Sequence, residues 1–150
     1  MAVASLGGLM RVKKIQMALV VAPLSVLAGW EEEAKKVLPK FSPSVRVMVV
    51  HKGTAKERQM IMRNAWKSSS LEQPYVIIST WGLVTSEKTV STFLPPSGHH
   101  WSFVTLDEAH IIKVRRQAGL HTLNLIRCSF YLRNSIQFSL PSYLSTPESQ

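Results

Sequence analysis

The sequence predicts an α/β domain, a mainly parallel β-sheet flanked by helices. Three observations predict it. Four short apolar runs, at residues 18–22, 45–50, 75–79 and 103–106, have the length and composition of buried strands. The segments after the first two runs carry apolar residues at helical spacing, and a short helix fits before the fourth run, giving the order β-α-β-α-β-α-β. At 150 residues, with 45% hydrophobic and 18% charged residues, the chain suits one domain with its own core and does not have the composition of a disordered segment.

The elements follow in order. The run at 18–22 is closed by Pro23, as expected of a strand covered on both faces. Ser25 opens a helical pattern in which Leu27, Trp30, Ala34, Val37 and Leu38 form one apolar stripe. Glu31, Glu32 and Glu33 lie early in it and Lys35, Lys36 and Lys40 late, which complements the helix dipole, and Pro39 marks the stop. The β-branched run at 45–50 leads through Lys52 and Gly53 to Thr54, with Glu57 three residues later, the spacing of a capping box. That helix is expected to run towards Trp66 and to bury Met60, Ile61 and Ala65, before a turn at Ser68, Ser69 and Ser70. The third strand follows at 75–79, then a short helix near Trp81 and a loop with Pro95, Pro96 and Gly98. The fourth strand, 103–106, runs into Asp107. After Lys113 the pattern degrades: 120–125 and 136–140 read equally as strand or helix, and the Ser/Pro/Thr-rich end reads as frayed.

A formal net charge of +9 points towards nucleic acid. The excess is unevenly placed: residues 18–110 hold ten Lys and Arg against eight Asp and Glu, and the flanks hold eight against one. A single cysteine, Cys128, forms no internal disulfide and fits a reducing compartment. Residues 17–29 are apolar apart from Ser25 and follow Arg11, Lys13 and Lys14, which mimics a signal peptide. The stretch is shorter than the ~20 residues of a membrane-spanning helix, and Pro23 interrupts it, so no membrane association is expected.

The strongest chemical signal is Asp107-Glu108-Ala109-His110 directly after an apolar strand. Two adjacent carboxylates at a strand end suit metal–nucleotide chemistry, one holding magnesium and the other positioning water. In a parallel sheet, ligands bind beyond the carboxyl ends of the strands.

Here the residues resemble a family. Residues 20–27 (Val-Val-Ala-Pro-Leu-Ser-Val-Leu) with Trp30 and Glu33, the strand 75–81 ending Ser-Thr-Trp, and the strand, DEAH box and Ile-Lys extension of 101–113 resemble, in order, three motifs of the Swi/Snf helicase-like ATPases. Within that family the chain looks most similar to excision-repair and Cockayne-syndrome-B-like DNA translocases. The resemblance implies an incomplete RecA-like (P-loop NTPase) lobe and divides the chain into an atypical segment 1–17, a partial helicase ATP-binding lobe 18–113 and a divergent segment 114–150. It implies ATP and Mg²⁺ as cofactors, duplex DNA and chromatin as partners, a second ATPase lobe, and a nuclear location. It implies further that Pro23, Leu24 and Ser25 lie near the DNA backbone, that Ser79 and Thr80 contact phosphates, that Asp107 binds magnesium through water, and that Glu108 activates water. Such contacts position DNA without selecting its sequence.

The chain departs from the family at the phosphate-binding loop. No G-x-x-x-x-G-K-[ST] run is present. The nearest match, residues 10–16, offers Lys13 as the phosphate-binding lysine but places Met10, Val12 and Lys14 where Gly, Gly and Thr belong. It also leaves too few residues before the strand at Ala18 for the helix that follows such a loop, so a surface position is the simpler expectation for Lys13. The family's Thr-Gly-Thr-Pro motif is absent too. His51, His99, His100, His110 and His121 lack zinc-ligand spacing, and Trp30, Trp66, Trp81 and Trp101 sit beside apolar stripes as core residues do. Lys113, Arg115 and Arg116 read equally as a DNA-tracking cluster and as a solvated face. Two rival readings stand beside an impaired translocase lobe: a non-catalytic DNA- or protein-binding lobe, and a small secreted protein.

Overall fold

In a computed structural model, residues 2–108 and the backbone of 131–134 are described. Five parallel strands form one sheet in the order β2-β3-β1-β4-β5: β1 (Met17–Ala22), β2 (Arg46–Val49), β3 (Tyr75–Thr80), β4 (Phe103–Asp107) and β5 (Tyr131–Asn134). β1 lies between β3 and β4, and all six of its residues are buried. The apolar stretch that mimics a signal peptide is therefore the central strand and the start of the helix after it. Its apolarity is what a strand covered on two faces requires.

The strand period of two divides the core. Met17, Leu19, Val21, Ile77, Val104 and Leu106 face one side, where α3 (Ala55–Ser68) and the short α4 (Trp81–Val84) pack with Phe93 and Trp101. Ala18, Val20, Ala22, Val76, Ile78 and Phe103 face the other, under α1 (Ala2–Arg11) and α2 (Leu27–Val37). The expected stripe of α2 points inward, with Leu27, Ala34 and Leu38 buried and Trp30 and Val37 partly so. Pro39 sits in a 3-10 turn, Leu38–Lys40, that ends it.

α3 starts as its sequence requires. Thr54 accepts the Glu57 amide at 3.2 Å, and Glu57 Oε2 accepts the Thr54 amide at 2.6 Å, a complete capping box. These hydrogen bonds, the backbone amide of Thr54 first, hold the Glu57 carboxyl below its ordinary range. The buried face of α3 differs from expectation: Met60 is 56% exposed, whereas Met62 is 2% exposed beside Ala65 and Trp66. Ala65 and Trp66 fix the phase of the helix, and Met62, three and four residues earlier, shares their face.

Two elements were absent from the expected order. α1 precedes β1 and packs through Val3, Leu6 and Met10, so the segment before the first strand holds a helix and not a phosphate loop. β5 extends the sheet beside β4. Residues 120–125 and 136–140, whose state the sequence left open, lie outside the described residues. Among the described residues, no helix is long and apolar enough to cross a membrane.

Candidate nucleotide and nucleic-acid rim

Because the strands are parallel and in register, their carboxyl ends form one edge. Ala22 pairs with Thr80, and Val21 with Leu106, which sets Ala22, Thr80 and Asp107 level across three adjacent strands, with Pro23 one residue beyond Ala22. The three motif segments, far apart in sequence, are thus brought together.

Pro23 leads into a 3-10 turn, Leu24–Val26, that delivers the chain to α2. Leu24 is 61% exposed and Ser25 is also exposed, so this turn presents its residues outward. A leucine side chain so exposed beside a core strand is set by the turn and not by burial.

The β3 end behaves differently. Ser79 is 0% exposed, and its hydroxyl donates to the Val50 carbonyl at 2.6 Å. A phosphate contact from this side chain, expected from the motif, has no surface to occur on. Its role is to close the end of β2 against β3. Thr80 is 8% exposed, and its hydroxyl oxygen accepts the Leu83 amide at 3.4 Å as the N-cap of α4. His51, weighed in the sequence only as a zinc ligand, and exposed Lys52, which no motif spacing marks, follow β2 and lie at the same edge.

Asp107 ends β4. Its Oδ2 accepts the Trp30 indole N–H at 2.8 Å, its Oδ1 accepts the Glu108 amide at 3.1 Å, and its carbonyl accepts the Trp81 indole N–H at 2.9 Å. Trp30 is therefore a polar partner of the acid as well as a stripe residue, while Trp66, Trp81 and Trp101 are buried. Glu108 is exposed and adopts φ 52, in the left-handed region. Ala109, His110, Lys113, Arg115 and Arg116 lie outside the described residues.

Lys13 is at the opposite end of the sheet. It follows α1 with φ 54 and donates to Glu72 Oε1 at 2.6 Å, both side chains being largely exposed. It precedes the amino end of β1, the whole length of the strand away from Asp107, so it forms no site with the acid pair. Gly7 and Gly8, the one adjacent glycine pair, are inside α1 and line no loop. The acid pair suits the metal side of a magnesium–nucleotide site, since each Asp107 oxygen retains acceptor capacity after one N–H donor. Nothing among the described residues fits the phosphate side. No group of three or more His, Cys, Asp or Glu capable of holding a metal ion occurs among the described residues.

The SNF2-related domain model matches residues 1–129. The chain belongs to this family. Its SNF2-related sequence is 35% identical over 108 residues to the DNA repair protein rad5 of Emericella nidulans, covering 65% of the chain and 8% of that protein. It is 31% identical over 132 residues to the ISWI chromatin-remodeling complex ATPase ISW2 of Saccharomyces cerevisiae, covering 87% of the chain and 10% of that protein. The chain thus spans about a tenth or less of the length of these relatives. The fold matches the SWI2/SNF2 ATPase core of Sulfolobus solfataricus, solved with double-stranded DNA, at a TM-score of 0.60 and 23% identity, over 88% of this chain and 24% of that one. The parallel sheet flanked by helices accordingly has the fold of a RecA-like lobe, as in that core.

Proposed function

We propose that these residues form part of the first lobe of a nuclear, ATP-dependent DNA translocase or chromatin remodeller, and that the part present here binds duplex DNA without hydrolysing ATP. The carrying observation is the shared rim, which sets the Pro23–Leu24–Ser25 turn with its exposed Leu24 and Ser25, the Thr80 cap and the Asp107–Glu108 pair at one sheet edge. The family's association with remodelling and repair ATPases supports it.

On this reading Pro23, Leu24 and Ser25 lie along the DNA backbone and the Thr80 region supports them, with Lys52 adding positive charge to the same edge. Asp107 is the acid that would hold a hydrated Mg²⁺ and Glu108 the one that would orient water when ATP is bound between two lobes. A phosphate loop and a second lobe are needed for that chemistry, and neither is found in these 150 residues. The excision-repair or Cockayne-syndrome-B-like subtype is the finer form of the same proposal.

The test is binding of a short fluorescent duplex across a salt series. Sequence-independent binding is expected, with log K falling against log salt at a slope of about −2 to −4 for the few phosphates such a rim can reach. Ser25→Glu, which adds an anion to the exposed turn, should weaken it. No binding at low salt refutes the DNA role, and ATP turnover by the chain alone refutes the non-hydrolysing part.

A further inference from the structure

Each of the two rim segments is followed by a tryptophan, and both tryptophans donate to one residue. Trp30, in the first turn of α2 and five residues after Ser25, gives its indole N–H to the Asp107 carboxylate at 2.8 Å. Trp81, next to Thr80 and first in α4, gives its indole N–H to the Asp107 carbonyl at 2.9 Å. An indole has one donor and no acceptor, so each ring commits its whole hydrogen-bonding capacity there. The remaining carboxylate oxygen takes the Glu108 amide, and Glu108 holds a left-handed backbone that a non-glycine residue keeps only where its surroundings fix it.

We infer that Trp30 and Trp81 are positioning residues that tie both rim segments to the Asp107–Glu108 pair, so that movement of the rim reaches the acids. The inference rests on the reading of that rim as DNA-facing. The tie is contiguous: Pro23–Ser25 connects through the first turn of α2 to the carboxylate, and Thr80 connects through the peptide bond of Trp81 to the main chain of the same residue. A hydrogen bond to a carboxylate is stronger than one between neutral groups, which favours transmission over slack. Glu108 belongs to neither rim segment, and its amide reports the state of Asp107.

The experiment uses the ¹⁵N-labelled full chain. On saturation with a short duplex the Glu108 amide signal is expected to shift, and Trp30→Phe and Trp81→Phe are each expected to reduce that shift about two-fold or more, since each removes one of the two links. An unchanged Glu108 shift in both variants overturns the inference. A DNA-free arm separates it from the DNA reading: in Trp30→Phe the Trp81 indole hydrogen should exchange about ten-fold faster, the equivalent of one lost hydrogen bond. The Trp101 indole, which donates to the Phe93 carbonyl at 2.8 Å, should keep its rate. An unaltered Trp81 rate overturns the tie even if DNA binds. If no duplex binds, the DNA reading fails and the tie is decided by exchange alone. Because Trp81 is buried, Asp107→Ala provides a second route from the acceptor side: it should free the Trp30 indole with a similar acceleration, and a Trp30 rate equal to that of the native chain overturns the tie.

Discussion

Gly7 and Gly8 are adjacent in α1, and the same substitution at each should act with opposite sign. A Cβ on Gly7 would lie 2.8 Å from Phe41 Cγ and Cε2, and closer still to Cδ2. Carbon atoms prefer about 3.5–4.0 Å, so the ring must move by roughly an ångström. A Cβ on Gly8 meets nothing within 4 Å. Replacing a helical glycine with alanine contributes about 1 kcal/mol. Gly8→Ala should therefore stabilise the chain by about that amount, or raise Tm by about 2–4 °C for a chain of 150 residues. Gly7→Ala gains the same propensity but meets an overpacking cost of about 1–3 kcal/mol. Displacing Phe41 also disturbs the Arg11 guanidinium, which lies 5.1 Å from the ring centroid, a contact worth about 0.5–1 kcal/mol. The net is a loss of about 0.5–3 kcal/mol for Gly7→Ala, and a gap of roughly 1.5–4 kcal/mol between the two variants. Urea denaturation followed by tryptophan fluorescence measures both. Gly7→Ala as stable as Gly8→Ala would refute the close seat of α1 against Phe41, and with it the account of why residues 2–11 belong to the core.

Two further outcomes are expected. Thr54→Ala removes the side-chain acceptor of the α3 cap and should cost about 1 kcal/mol in a urea titration. Because the capping box lowers the folded-state pKa of Glu57, its contribution is present above the ordinary carboxyl value of 4.5 and is lost as pH falls through the lowered folded value. Glu57→Gln, which removes the titrating carboxyl while Thr54→Ala would keep the backbone amide that lowers it most, should therefore reduce the loss of stability on acidification, and an identical pH profile in Glu57→Gln would count against the cap. Ser79→Ala leaves the buried Val50 carbonyl without its donor and should cost about 1–3 kcal/mol, with duplex affinity unchanged once the fold is saturated. A loss of DNA affinity without a loss of stability would restore Ser79 as a phosphate contact.

Much of the layout was legible because it depends on local pattern. The continuous apolar run of β1, the stripe of α2, the Thr54–Glu57 spacing and the acids after β4 each carry their structure within a few residues. α1 was harder to see: Val3, Leu6 and Met10 have helical spacing, but Gly7 and Gly8 weaken the helical reading, and only packing under the sheet stabilises it. β5 gains its strand state from β4, a partner distant in sequence.

The sequence by itself determined the alternation of strands and helices, the family motifs and the missing phosphate loop, since periodicity and residue identity are local properties. Tertiary structure alone decided which motif side chains face outward. Ser79 and Ser25 look equally available in the sequence, yet one closes a buried strand end and the other stands on an exposed turn. It also decided that Trp30 meets Asp107 across 77 residues, because parallel register, and no feature of either segment, brings those strand ends together.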